Sequence, residues 1–337
     1  MTRTKKPVTP ERIMQFAWGY APTLIIEAAL RHRLFDLLHE APLTLEQLAT
    51  ITGAAPRGLK AILNALVGLQ LLARDRGGYM LTPESDAFLV SSKPEYRGPF
   101  FRHHCDQLLP RWMKLADVVR TGKPVRPTNK QKQGAQYFAA FVEALFPTNF
   151  PAATALGKYL GLSRRKQPVS VLDIGAGSGV WGIALAMQSP SVTICAVDWP
   201  EVLAVTRKVA ARCNVAGRLT TVPGDYHTVD FGQDHQIATL GSILHSEGPK
   251  GIAGLLRKTF NALAPGGVVA IMEFLPQDDR TGPPQALLFA VNMLVNTEAG
   301  DTYTFTEISA WLRETGFLQP RLLDVPGGNP VILADKP

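Results

Sequence analysis

Apolar residues recur at helical spacing through residues 10–39: Ile13, Phe16, Ala17, Tyr20, Leu24, Ile25, Ala28 and Ala29, then Leu34, Phe35, Leu37 and Leu38. A stripe that repeats every three to four residues marks one face of an amphipathic helix. The pattern predicts two helices, broken near Pro22 or at residues 31–33, and so apolar a start implies burial beyond one small domain. Residues 43–49 and 56–72 read as two further helices around a turn at Thr52-Gly53-Ala54, with Gln47 three residues after Thr44 as in a capping box. Residues 73–82 then form a hairpin turning at Arg76-Gly77-Gly78-Tyr79. The unit is a winged helix-turn-helix. Its second helix offers only Arg57, Lys60, Asn64 and Gln70 as polar readers of DNA. Subunit pairing is the expected role, since a fold does not fix a function.

Residues 83–165 carry helices rich in aromatics, among them Trp112, Tyr137, Phe138, Phe141, Phe146 and Phe150, with an exposed loop expected over 120–133. From residue 170 the period changes. Strands are expected near 169–173, 192–198, 219–223, 236–243 and 267–274, and in two pieces over 321–334, with helices between. Such alternation predicts a Rossmann-like α/β fold, a doubly wound, mainly parallel sheet with helices on both faces. A ligand then sits beyond the carboxyl ends of the strands.

At 337 residues the chain suggests two domains, and 46% hydrophobic against 19% charged residues describes a core-forming protein. A net charge of +7 raises nucleic acid as a partner, yet the basic residues cluster only at Arg3, Lys5 and Lys6 and at Arg164, Arg165 and Lys166. These read as solvated linkers, so no nucleic acid is expected. The three cysteines, Cys105, Cys195 and Cys213, have neither metal-ligand nor disulfide spacing. No metal is expected. Residues 1–14 lack a signal-peptide core and no apolar run is of membrane-spanning length, so the expectation is a cytoplasmic protein with no membrane partner.

The chemistry starts at residues 171–182, VLDIGAGSGVWG, where a strand runs through a glycine turn into a helix. Gly175, Gly177 and Gly179 are spaced G-x-G-x-G, with Val180 where the dinucleotide fingerprint places its third glycine. Asp173 ahead of them would repel a pyrophosphate and hold a cationic amino group. Asp198, followed by Trp199, ends the next strand, where a carboxylate accepts ribose hydroxyls. Gly224-Asp225-Tyr226 ends the third and suits an adenine amino group and face. Ribose, adenine and a cationic amino-acid tail together make S-adenosylmethionine.

Two further strand ends carry a base and an acid. His245 follows the fourth strand, placed to take a proton from an acceptor hydroxyl, and a loop-capping histidine is its structural alternative. Glu273 follows the fifth, where it either orients His245 or pairs with Arg280. Asn292 and Met293 on a helix over 285–295 and Thr297 and Asp301 in the next loop are candidate acceptor contacts, as are Phe141, Phe146 and Phe150, although an aromatic stripe at helical spacing is more often core than pocket.

With the glycine loop, the Gly-Asp-Tyr turn, the histidine, the Pro265-Gly266-Gly267 turn and the winged helix in this order, residues 12–335 resemble the class I O-methyltransferases of the caffeate, hydroxyindole and bacterial polyketide or phenazine type. The resemblance implies methyl transfer to a hydroxyl of a small aromatic metabolite, with His245 as base and Glu273 as flanking acid. It also implies a homodimer through the N-terminal domain, with Phe16 or Trp18 reaching the partner's site. It divides the chain into a dimerisation domain at 1–95, a helical linker contributing to the substrate pocket at 96–165 and the catalytic domain at 166–337. The family's His-Asp-Trp stands here as His245-Ser246-Glu247, and its second flanking acid falls at Thr302. Met293 matches a methionine that clamps aromatic acceptors. Rival readings are a relative repurposed for decarboxylation, hydroxylation or a pericyclic step, transfer to carbon or nitrogen, and a DNA-binding regulator.

Overall fold

The computed structural model describes residues 8–75, 77–128, 131–139, 141–327 and 329–337, the side chains of 131–133 excepted. Arg3, Lys5, Lys6 and the wing-turn residue Arg76 lie outside the described residues. The chain divides into two compact units, Met1–Pro110 and Arg111–Pro337.

In the first unit the apolar start forms three helices, Glu11–Ala17, Ala21–Arg31 and Leu34–Glu40, not two. The chain breaks ahead of Pro22, which sits in the first turn of its helix where a missing N–H costs nothing. It breaks again where Arg33 takes a left-handed φ of 55°. Within this chain the first helix buries no residue, leaving Phe16 71% and Trp18 68% exposed. Helix Leu45–Thr52 carries the capping box between Thr44 and Gln47. Helix Pro56–Gly68 stops short of its expected end because Gln70 turns left-handed into the wing. Strands β1 (Leu72–Asp75) and β2 (Gly78–Leu81) pair antiparallel, and Leu43 adds a rung opposite Tyr79. Asn64, a candidate reader of DNA, is instead tied to the wing: its Oδ1 accepts from Arg74 Nη2 at 2.7 Å and from the Tyr79 hydroxyl at 3.0 Å.

The second unit is built on a seven-stranded sheet: β3 (Val169–Ile174), β4 (Val192–Asp198), β5 (Leu219–Pro223), β6 (His235–Gly241), β7 (Leu263–Met272), β8 (Leu318–Leu323) and β9 (Val331–Asp335). Their order is β5-β4-β3-β6-β7-β9-β8, parallel from β5 to β7 and antiparallel at the β9 and β8 edge. Continuous burial of Val171, Leu172 and Ile174 on β3 and of Ile237, Ala238 and Leu240 on β6 fits central strands covered on both faces. Pro265-Gly266-Gly267 is not a turn between helix and strand. It lies inside β7, with Gly266 at φ 73° and the register to β6 shifted between His235 and Ile237. The chain runs outward from β3 to β5 and then crosses back to β6, so the order reverses between β3 and β6. Ligands of such sheets bind outside the carboxyl ends at that reversal. Among the described residues no helix is long and apolar enough to cross a membrane.

Candidate active site

Strand β3 delivers Asp173 to the reversal point, where it is 1% exposed. Its Oδ1 accepts from Thr239 Oγ1 of β6 at 2.7 Å and its Oδ2 from the Gly182 N–H at 3.0 Å. Burial pushes its carboxyl up to about 7, although both donors pull the other way. The turn that follows needs glycine: Gly175, Gly177 and Gly179 have φ of 60°, 58° and 76°. A Cβ on Gly175 would stand 2.3 Å from Ile243 Cδ1.

Asp198 at the end of β4 braces this turn. Its Oδ2 accepts from the Gly177 N–H at 2.9 Å and its Oδ1 from the Trp199 N–H at 2.7 Å, while its backbone carbonyl accepts from the Gly224 N–H at 2.9 Å. Burial pushes its carboxyl up to about 6. Trp199 is buried among Ala135, Val142 and Val202, with Phe138 at 6.2 Å. The Asp225 Oδ1 accepts from the His227 N–H at 2.9 Å. Tyr226 donates its hydroxyl to Glu247 Oε1 at 2.7 Å, and His227 Nε2 stands 3.2 Å from the same oxygen. The residues expected to hold the cofactor are thus one cluster at the ends of β3, β4 and β5.

These residues fit a cationic nucleoside. The turn brings the Gly177 N–H to Asp198 and the helix after it brings the Gly182 N–H to Asp173, two carboxyls that burial keeps from ionising easily. A ligand carrying positive charge relieves both, whereas a pyrophosphate meets charge of its own sign.

His245 lies in a 3₁₀ turn, Leu244–Ser246, just beyond β6, and is 7% exposed. Its Nδ1 is 2.6 Å from Glu273 Oε2, and its backbone N–H donates to Glu273 Oε1 at 3.3 Å. Glu273 is 2% exposed and therefore fixes both the ring and the backbone of one histidine. Its alternative partner, Arg280, pairs with Glu307 at 3.0 Å instead. The Phe289 ring meets the imidazole edge-on at 4.8 Å and stacks on Phe274 at 4.0 Å. Nε2 of His245 has no hydrogen-bond partner among the described residues.

The other expected acceptor contacts divide. Phe146 and Phe150 stack on each other at 5.3 Å against the core of one sheet face, with Arg212 over Phe146 at 5.9 Å, so the structure does not bring them to His245. They sit one and two turns along helix Val142–Tyr159, partly buried beside the packing face that Ala152, Ala153 and Leu156 supply. The N–H of Phe141, just ahead of that helix, donates to the Phe138 carbonyl at 2.8 Å. Met293 is 5% exposed on helix Pro284–Asn296, the helix that carries Phe289. Asn292 Oδ1 accepts from Trp112 Nε1 at 3.1 Å. Thr297 Oγ1 donates to the Met293 carbonyl and accepts from the Gly300 N–H at 2.9 Å. Asp301 Oδ1 accepts from the Thr302 N–H at 2.7 Å, and Thr302 is buried with its Oγ1 unpartnered among the described residues. The sequence reading missed Phe274, Phe289, Thr239 and Glu247. Only Glu247 had a signal, its place in the His-Ser-Glu triplet.

A family model described as the O-methyltransferase domain matches residues 112–318, and one described as the O-methyltransferase dimerisation domain matches residues 14–91. The chain belongs to the O-methyltransferase family. It is 30% identical over 334 residues to 3-hydroxy-5-methyl-1-naphthoate 3-O-methyltransferase of Streptomyces sahachiroi, covering 97% of this chain and 95% of that one. Among solved structures, PigF with SAH, an S-adenosyl-L-methionine-dependent methyl transferase of Serratia, is 25% identical with a TM-score of 0.85, covering 98% of this chain and 100% of that chain. Human N-acetylserotonin methyltransferase in complex with SAM shares the fold at a TM-score of 0.86 and 22% identity, covering 99% of each chain. The protein is an S-adenosylmethionine-dependent O-methyltransferase.

Proposed function

We propose that the enzyme methylates a hydroxyl of a small aromatic metabolite, with His245 taking the hydroxyl proton on Nε2. The observation that carries this is the 2.6 Å pair of His245 Nδ1 and Glu273 Oε2 at adjacent strand ends, beside the stacked rings of Phe274 and Phe289. Glu273 holds Nδ1 as the proton-bearing nitrogen, which leaves Nε2 as acceptor, and its charge stabilises the imidazolium once the proton has moved. Asp173, Gly175, Gly177, Asp198, Trp199, Gly224, Asp225 and Tyr226 would hold the cofactor. S-adenosylmethionine, when bound, supplies a methyl group already activated by its sulfonium. What remains for the chain is alignment and exclusion of water. Phe274, Phe289 and Met293 present an apolar face suited to a flat ring, and the aromatic substrate named for the Streptomyces sahachiroi relative points the same way.

We further assign pairing of two copies to residues 1–95, pocket walls to 96–165 and the cofactor and catalytic pair to 166–337, in a cytoplasmic homodimer. Trp112, bonded to Asn292, supports the middle assignment. Phe16 and Trp18, exposed on a stretch that buries nothing within its own chain, support the first. A second reading, repurposing for a step other than methyl transfer, rests on Thr302, whose hydroxyl, unpartnered among the described residues, offers His245 no second carboxylate. The test is a screen of hydroxylated aromatics with labelled S-adenosylmethionine, read by mass spectrometry. Gain of one methyl group on oxygen upholds the proposal; cofactor binding with no methyl gained by any acceptor favours the second reading.

A further inference from the structure

Arg111 is half-buried in the second unit. Its Nη1 donates to Asn296 Oδ1 at 2.7 Å, its guanidinium lies over the Tyr137 ring at 4.9 Å, and no carboxylate pairs with it among the described residues. Tyr137 and a second guanidinium, Arg126, act on its charge in opposite directions, and Nη1 also donates to the Arg126 backbone carbonyl at 3.4 Å. Burial lowers the Arg111 pKa from its ordinary value. A cation removed from water without a counter-ion is costly unless something else supplies the charge. Nε and Nη2 of Arg111 have no partner among the described residues, so part of its donor fork is unspent.

The setting is built. Asn296, which accepts from Arg111, donates through Nδ2 to the Asn292 carbonyl and to its Oδ1 at 3.0 Å. Trp112 Nε1 closes on the same Oδ1. The Asn296 backbone carbonyl accepts from the Thr128 N–H at 2.9 Å and from Thr128 Oγ1 at 3.2 Å, which pins the segment carrying Arg126. These groups lie in one row with the catalytic pair. On helix Pro284–Asn296 the ring of Phe289 touches His245, and Asn292 and Asn296 follow at three and seven residues, on the same face. Seven residues at the helical rise place the Arg111 anchor about 10 Å from the level of His245. That separation is the length of a two- or three-ring aromatic skeleton.

We propose that Arg111 is the anchor for an anionic group of the acceptor, so that the enzyme takes hydroxylated aromatic carboxylic acids, the hydroxyl at His245 and the carboxylate at Arg111. This deepens the proposed function and rests on its placement of the acceptor beside His245. The planar guanidinium suits a carboxylate with its two free donors, and the bound acid supplies the counter-ion that the fold omits.

Binding tests it apart from turnover. Hydroxylated one-, two- and three-ring aromatic acids, each paired with its own primary amide, are titrated calorimetrically into the full-length protein with S-adenosylhomocysteine present. The expected result is tighter binding of the acid by tenfold or more in at least one pair, with the preference lost in Arg111→Gln and partly kept in Arg111→Lys. S-adenosylhomocysteine binding by each variant, measured first, shows that it is folded. No preference for the acid in any pair, or a preference that survives Arg111→Gln, overturns the proposal. Acids that bind through Arg111 but gain no methyl count against the proposed function and leave the anchor standing.

Discussion

Glu273 touches His245 twice, through Oε2 to the ring and Oε1 to the backbone N–H. Orientation and charge therefore come from one carboxylate. Where the family resemblance places a second acid the chain has Thr302, so no second carboxylate among the described residues bonds to the imidazole. Glu273→Gln keeps the shape and removes the charge. We expect kcat to fall by about 10²-fold, with S-adenosylhomocysteine affinity unchanged within a few-fold. Steady-state kinetics and calorimetry on the same preparation check both halves.

Gly300 lies where the 297–303 loop crosses the histidine turn. A Cβ there would stand 2.3 Å from the His245 carbonyl oxygen and 2.5 Å from Thr297 Oγ1. Backbone cannot yield as a side-chain tip can, so the loop or the histidine must shift. Gly300→Ala is expected to lower kcat by roughly 10- to 100-fold through misplacement of His245, again without loss of cofactor affinity. A variant with wild-type kcat would show that the loop does not position the base.

Asp173 and Asp198 link cofactor binding to pH. Burial raises both in the folded chain, to about 7 and about 6, above the unfolded value of 3.8. The ligand-free folded chain thus keeps protons that the unfolded chain has lost. Its stability from these groups falls as pH rises from about 4 through about 7, and for Asp173 the change is on the order of 4 kcal/mol at most. A cationic ligand favours the ionised carboxylates. The thermal stabilisation given by S-adenosylmethionine should therefore grow between pH 5.5 and pH 8, and Asp173→Asn should flatten that growth. Equal stabilisation at both ends of the range would contradict the assignment.

Much of this could be read from the chain beforehand. Periodicity marked the sheet, the wing and the helix carrying Met293, because strands buried on both faces and amphipathic helices leave patterns that depend on local sequence alone. The glycine turn and the acids at strand ends were legible for the same reason: chemistry sits at a fixed offset from the end of a strand. Phe289, Thr239 and Arg111 were not. Phe289 meets His245 from 44 positions away and Thr239 meets Asp173 across a strand pair, contacts that only the sheet order creates. Phe146 and Phe150 show the converse. Aromatic spacing alone does not say which face of a helix is core, and theirs packs on the sheet.

Phe16 and Trp18 bear on assembly. If their helix seats on a second copy, Phe16→Asp with Trp18→Glu should shift sedimentation from dimer to monomer. The winged-helix unit has its own core, centred on Leu34, Phe35, Leu48 and Leu63, so the substitutions should leave it folded, as circular dichroism would report. A dimer that survives both changes would place the contact elsewhere.

The role of His245 as the base of an oxygen methylation is measured by single-turnover methyl transfer to a phenolic acceptor by the wild type and His245→Gln. The expected rate is lower by on the order of 10²–10⁴ in the variant, with S-adenosylhomocysteine bound as tightly as before. Transfer at the wild-type rate by His245→Gln would contradict it.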